Sequence, residues 1–276
     1  MRLSLGFSTC PNDTFIFDAL VNNKIDTRGL QFEPHLADVE ELNRSAFSSA
    51  ADITKISYHA YAYIAENYLL LTSGSALGYN NGPLLVSRKK IHASDIDDLS
   101  IAIPGKYTTA NLLMSIAWPD AQNKHEYLFS DIEDAVINGE MDAGLIIHEN
   151  RFTYKKRGLE KISDLGEYWT DITGEAIPLG GIAIRRDLPK EIVIKVNDLL
   201  KESIKYAFEN PDSSYNYIRR YAVAIEKEVM EKHIALYVND YTIDLGDRGK
   251  ASISRLYEEA RKKLVIPALP EKLFVI

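Results

Sequence analysis

Short apolar runs alternate with helical periodicity over roughly the first 186 residues, and this alternation restricts the fold more than any other feature. RLSLGF (2–7), ADITKIS (51–57), LLLTSG (69–74), GPLLVSR (82–88), SIAIPG (100–105), EYLF (126–129), DAGLIIHE (142–149) and GGIAIRR (180–186) read as strands. Helical spacing falls between them over 10–24, 38–48, 58–68, 108–118 and 131–140. Pro11 sits near the first turn of the first helix, where its missing N–H costs no hydrogen bond. Past Pro189 the chain is nearly all helical. There Ile192, Val196, Leu199, Leu200 and Ala207 share one face over 190–208. Strands alternating with helices predict βαβ units and mostly parallel sheets.

GPLLVSRKK and GGIAIRRDL echo each other, each with glycine, an apolar run and a basic pair. They are read as strands where the chain passes between two lobes and returns. Residues 1–88 and 187–276 then form a discontinuous first lobe, completed by the helical tail, and 89–186 form the second. A length of 276 residues suits two lobes. The expected fold is α/β, two-lobed, with a ligand cleft between the lobes.

Composition removes several function classes. Net charge is −8, and Lys89-Lys90, Lys155-Lys156-Arg157 and Arg185-Arg186 are short, scattered clusters. Nucleic-acid binding needs a concentrated basic face, so that class is set aside. No apolar run approaches the ~18 residues of a membrane span. The first residues, MRLSLGFSTCPND, lack a basic region, apolar stretch and cleavage site, which points to the cytoplasm. The single cysteine, Cys10, cannot form an internal disulfide or a cysteine-based metal cluster.

In α/β lobes, ligands bind beyond the carboxyl ends of strands, where helix N-termini present free N–H groups. Three segments occupy such turns. STCPNDTF (8–15) offers Ser8, Asn12, Asp13 and Thr14; TKISYHAY (54–61) offers Lys55, Ser57 and Tyr58; PGKYTTAN (104–111) offers Thr108 and Thr109. Each is equally readable as plain helix capping. PGKYTT fails as a nucleotide loop because Tyr107 follows Lys106. GSALGYNNG (74–82) lacks the spacing of a dinucleotide turn and reads as a flexible loop. GLIIHENRF (144–152) ends an apolar strand on His148 and Glu149. The zinc pattern H-E-x-x-H fails, since Phe152 stands where the second histidine belongs. His148 is left as a structural rim residue or a general base facing the cleft.

The blocks STCPNDTFIFDALV, TKISYHAYAYI, GPLLVSR, IPGKYTTANLLMS, GLIIHENRFTY and DLGEYW…PLGGIAIRRDL occur in one order along the chain, with HIALYVNDYTIDLGDRG in the tail. Together they resemble the 1,4-dihydroxy-6-naphthoate synthase family of the futalosine route to menaquinone, over essentially the whole length. The resemblance implies a type-2 periplasmic-binding-protein fold working as a cytoplasmic enzyme with no metal or organic cofactor. It implies conversion of cyclic de-hypoxanthine futalosine, a small carboxylate, into the naphthoate with release of a sugar-derived fragment. His148 is then the catalytic base for ring opening and carbon–carbon cleavage. Thr108 and Thr109 hold the carboxylate, Ser57 lines the cleft, and Lys55 and Asn12 complete the substrate-binding set. Tyr107 and Thr9 depart from some relatives; neither touches the chemistry the resemblance implies, and Tyr107 falls at the pocket's edge. Chorismate dehydratase and a non-catalytic solute-binding protein are the alternatives on this scaffold. Monomer and homodimer suit the sequence equally.

Overall fold

The computed structural model describes residues 1–222, 226–263 and 265–275. The chain opens with β1 (Arg2–Phe7), α1 (Pro11–Val21), β2 (Gln31–Leu36), α2 (Val39–Phe47), β3 (Ile53–Ser57), α3 (Tyr58–Ile64), β4 (Tyr68–Leu70) and β5 (Ala76–Gly78). It continues through β6 (Leu84–Ser87), β7 (Ile101–Ile103), α4 (Thr109–Ala117), β8 (Lys124–Glu126), α5 (Ile132–Ile137), β9 (Ala143–Ile146), α6 (Asn150–Thr153), β10 (Glu160–Asp164) and α7 (Leu165–Thr173). It closes with β11 (Ile177–Arg185), α8 (Lys190–Glu209), α9 (Tyr215–Tyr221), α10 (Lys227–Tyr237), α11 (Asp240–Ile243) and α12 (Gly246–Lys262).

Two sheets form. The first runs β2-β1-β3-β11-β4 with β5 also on β11, and the second runs β10-β6-β9-β7-β8. β1 lies parallel to β2 and β3, and β7 parallel to β8 and β9. β11 runs antiparallel to β3, β4 and β5, and β6 antiparallel to β9 and β10. Both sheets are therefore mixed. The antiparallel strands inside them are the two echoing segments, each the first strand after the chain changes sheet. Parallel neighbours need a helical crossover, whereas a strand arriving from the other lobe can enter in the opposite sense.

Sheet membership moves both crossings. The sequence puts the boundaries at 88/89 and 186/187, but β6 belongs to the second sheet and β11 to the first. The chain thus changes sheet between Gly78 and Leu84, and again between Asp164 and Ile177. Periodicity identifies a buried strand without saying which sheet completes its hydrogen bonds. Other differences have similar causes. β2, QFEPHL, is a largely exposed edge strand with Pro34 inside it, so it carries little apolar signal. β10 and α7 occupy a stretch left unassigned, β8 lies at 124–126 instead of 126–129, and Ala76–Gly78 is a strand inside the segment read as a loop.

α1 is buried along nearly its whole length, from Pro11 to Leu20. It lies between β1 and the helical tail, in one apolar cluster with Leu5, Phe7, Leu199, Ile204, Tyr217 and Met230. Ser203 on α8 ties the two helices, accepting from Leu20 N at 3.2 Å and donating to Ile16 O at 2.6 Å. A second cluster joins the sheets, running from Ile56 and Ala183 through Leu85, Ile101 and Leu145 to Leu256 on α12. No helix of the described residues is long and apolar enough to cross a membrane.

Three contacts brace the crossings and the two lobes. A Cβ on Gly82 would stand 2.2 Å from Gly166 N, so the first crossing lies directly against the start of α7. Arg151 spans the same point, donating to Gly82 O and, at 2.7 Å, to Asp164. At the other side, His59 Nδ1 reaches Thr108 O at 3.2 Å, joining α3 to the start of α4. Burial lowers the His59 pKa to about 4, although the Thr108 carbonyl favours the charged form.

Gly82→Ala should therefore lower the unfolding free energy by about 1–3 kcal/mol, because the clash is with backbone that cannot rotate away. Urea titration checks this; an unchanged midpoint contradicts it. A buried histidine with a lowered pKa binds its proton more readily when unfolded. Stability should then fall as pH drops from about 6.5 towards 4 and level off below, by on the order of 3 kcal/mol for His59. His59→Gln should make that decline shallower in thermal melts recorded across the range.

Candidate active site

The site begins where β1 ends. Asp13, 1% exposed in the first turn of α1, collects four hydrogen bonds. Its Oδ2 accepts from Ser8 N at 3.2 Å and Ser8 Oγ at 2.7 Å. Its Oδ1 accepts from Asn12 Nδ2 at 2.8 Å and from Lys55 Nζ at 2.8 Å. Lys55 arrives from β3, which adjoins β1, so the strand order alone brings the ammonium over the helix start. A buried ion pair survives desolvation only when its remaining lone pairs are satisfied, as they are here.

Asn12 continues this network away from solvent. Its Oδ1 meets His233 Nε2 at 2.9 Å, linking α1 to α10. Each end of its amide thus has one protein partner, and one Nδ2 hydrogen is left over on a residue that lines the cleft. His233 is fully buried, and burial together with the nearby His148 and Lys55 pushes its pKa well below the usual histidine value. A neutral His233 donating from Nε2 presents a lone pair on Nδ1. That atom faces Glu149 Oε2 at 4.0 Å, and neither atom has a hydrogen-bond partner among the described residues.

His148 lies in the turn after β9, not within the strand, with a left-handed φ of 57°. Few non-glycine residues adopt that conformation, and here the ring lies over the start of α1. Its Nδ1 is 3.5 Å from Cys10 Sγ. Phe129 meets the ring edge-on at 5.0 Å between centroids, and His233 stacks on it at 6.1 Å. Burial lowers the His148 pKa from its ordinary 6.5, opposed by the charge of Glu149. Burial, with Glu149 and Asp13 adding to it, pushes the Cys10 thiol well up, so the sulphur next to Nδ1 stays protonated. Nε2 of His148 has no protein partner among the described residues.

Across from this network stands the start of α4. Thr108 caps that helix: its hydroxyl donates to Gly105 O at 2.8 Å and accepts from Asn111 N at 3.3 Å. The Thr109 hydroxyl donates to Leu179 O on β11 at 2.5 Å and accepts from His59 N at 3.4 Å. Neither hydroxyl has a proton left for a ligand. The first two amides of the helix, Thr109 N–H and Ala110 N–H, have no intrahelical acceptor, and both residues line the cleft. The cradle expected from the TTA block is thus made of backbone amides, with the threonine side chains holding those amides in place. Ser57 adds a hydroxyl: its Oγ accepts from Asn43 Nδ2 at 3.1 Å, leaving its proton available.

Asn12, Lys55, Ser57, Thr108, Thr109 and His148 all line one cleft, which encloses about 670 Å³ including its open mouth. Ser8, Asp13, Asn81, Leu179 and Tyr237 join them. Asn81, His233 and Tyr237 were not anticipated. His233 and Tyr237 are four residues apart in the HIALYVND block, hence on one face of α10, with ring centroids at 4.7 Å. Only the packing of α10 against α1 shows that this face points at the site. Among the described residues no cluster of three or more His, Cys, Asp or Glu side chains is placed to hold a metal.

Residues 3–262 match the family described as menaquinone biosynthesis. A "1,4-dihydroxy-6-naphtoate synthase" from Thermus thermophilus is 41% identical over 273 residues, 99% of each chain. The crystal structure of protein AF1704 from Archaeoglobus fulgidus superposes with a TM-score of 0.90 at 37% identity, covering 96% of this chain and 98% of that one. The alkanesulfonate-binding protein SsuA from Xanthomonas axonopodis pv. citri superposes at 0.72 with 11% identity, covering 97% and 94%. That likeness shows the fold: two α/β lobes of the periplasmic-binding-protein kind. With a match across nearly its entire length, the chain belongs to the menaquinone-biosynthesis family.

Proposed function

We propose that the cleft converts cyclic de-hypoxanthine futalosine to 1,4-dihydroxy-6-naphthoate in the cytoplasm, with His148 as general base. The observation that carries this reading is the pairing of His148 with the start of α4. A neutral imidazole with an unoccupied Nε2 shares one cleft with two free helix-terminal amides and the Ser57 hydroxyl. The amides and the positive end of the helix suit a substrate carboxylate. The imidazole suits removal of a proton near pH 7.

In this mechanism His148 carries its own proton on Nδ1, directed at Cys10 Sγ, so that the Nε2 lone pair takes the proton of a substrate hydroxyl. The resulting oxyanion collapses to a carbonyl as the adjacent carbon–carbon bond breaks. The released electron pair passes into the ring that becomes aromatic, and the imidazolium returns its proton to the fragments. Lys55, held by Asp13 at 2.8 Å, stabilises negative charge developing on the cleft floor. The Cys10 contact and the left-handed backbone keep the His148 ring in one orientation. Aromatisation supplies the driving force, so proton transfer and charge stabilisation suffice.

His148→Asn should lower kcat by about 10²- to 10⁴-fold with an unchanged melting temperature. Wild-type turnover by the folded variant would remove His148 from the chemistry. Naphthoate absorbance with the futalosine derivative, against chorismate as a parallel substrate, checks the reaction itself.

The acid limb of kcat/KM should lie below pH 6.5, because burial lowers the His148 pKa and the base must be neutral. Glu149 opposes that shift by favouring the imidazolium. Glu149→Gln should therefore move the limb to still lower pH. A limb that moves upward, or stays in place, is incompatible with His148 as the titrating base.

A further inference from the structure

Two carboxamides line the cleft, Asn12 and Asn81, and they differ in one decisive respect. Asn12 has both ends paired, to Asp13 and to His233. Asn81 is 1% exposed, yet neither its Nδ2 nor its Oδ1 has a hydrogen-bond partner among the described residues. Leaving buried polar atoms unpaired carries a desolvation penalty with nothing to offset it. Such a group in a ligand cleft is a recognition element awaiting its partner.

The surroundings of Asn81 hold it in that state. It lies on the first crossing, between β5 and β6, following Asn80 in a left-handed conformation (φ 58°). Gly82, next in sequence, is pressed against Gly166. A Cβ on Gly78 would stand 2.9 Å from Asn81 Nδ2, so the glycine leaves the space that the amide occupies. The neighbouring amide of Asn239 makes its hydrogen bonds elsewhere. Its Nδ2 donates to Leu77 O at 2.9 Å, and its Oδ1 accepts from Tyr241 N at 3.0 Å.

We propose that Asn81 is a specificity-determining residue that reads the hydroxyl-bearing, sugar-derived part of the substrate. This rests on the reaction proposed above. A carboxamide offers one donor edge and one acceptor edge. Hydroxyl groups both donate and accept, so they satisfy both edges at once. A carboxylate satisfies only the Nδ2 edge and repels Oδ1, and it already has a better place at the α4 amides. The cleft then sorts its substrate by chemistry: carboxylate to Thr109 and Ala110, hydroxyls to Asn81.

The test uses the full chain with two variants, Asn81→Leu, which keeps the shape and removes both polar edges, and Asn81→Asp, which removes the donor. Turnover of cyclic de-hypoxanthine futalosine gives kcat and KM, and titration with 1,4-dihydroxy-6-naphthoate gives product affinity. The naphthoate keeps the carboxylate but has lost the sugar-derived fragment. Both variants should lose about 10- to 100-fold in kcat/KM for the substrate, with product affinity and melting temperature unchanged. Retained kcat/KM overturns the assignment, as does a matching loss of product affinity, which signals altered cleft shape. If Asn81→Leu does not fold, the same criteria apply to Asn81→Asp. A wild-type protein that fails to turn over the substrate overturns the functional reading itself; one that turns it over while the variants match it overturns only the role of Asn81.

Discussion

The buried Lys55–Asp13 pair is the contact on which the cleft is assembled. At 2.8 Å it joins β3 to the start of α1, and Asp13 also holds Ser8 and Asn12. Through Asn12 the network reaches His233 on α10, so three segments distant in sequence, residues 8–13, β3 and α10, are joined around one carboxylate. Removing either charge would leave the other buried without compensation, a loss that mutational studies place at about 3–5 kcal/mol. The same network forms the floor under His148, which stacks on His233. Stability of the first lobe and placement of the base are thus one arrangement.

Above that floor, the cleft separates tasks by how each group is satisfied. Hydroxyls and amides needed for structure are paired within the protein: Thr108 with Gly105 and Asn111, Thr109 with Leu179 and His59, Asn12 with Asp13 and His233. Among the described residues, the groups left open are the α4 amides, the Ser57 proton, Nε2 of His148 and the Asn81 carboxamide. A polar group bound to its own protein is a support, whereas an unpaired one facing a cleft has a ligand as its natural partner. Residue type does not make this distinction, since both classes contain asparagine and hydroxyl side chains.

Much of the architecture was legible in residue order. The buried strands β6, β7 and β9 carry continuous apolar runs and β1 alternates apolar residues, while α8 carries clear helical spacing and α1 announces itself by Pro11 in its first turn. β2, less apolar and broken by proline, gave no usable pattern, and β8 was placed a few residues late, because an edge strand need not bury either face. The site was legible to the extent that three strand-to-helix turns and the GLIIHE block could be picked out as candidates. The roles inside those turns were not, because hydrogen-bond satisfaction depends on neighbours hundreds of residues away, such as His233 for Asn12.

The sequence by itself determined the α/β class, the helical tail, the family and the set of turns from which a site is built. Those follow from local periodicity and from blocks of residues whose order is visible in one dimension. Only the tertiary structure decided which sheet receives β6 and β11, which face of α10 looks into the cleft, and that His148 leaves its strand in a left-handed turn. It also decided which amide is a support and which is free. The physical reason is common to all of these: each depends on where a hydrogen bond finds its partner or a face finds its cover. Those partners come from chain segments that only folding brings together.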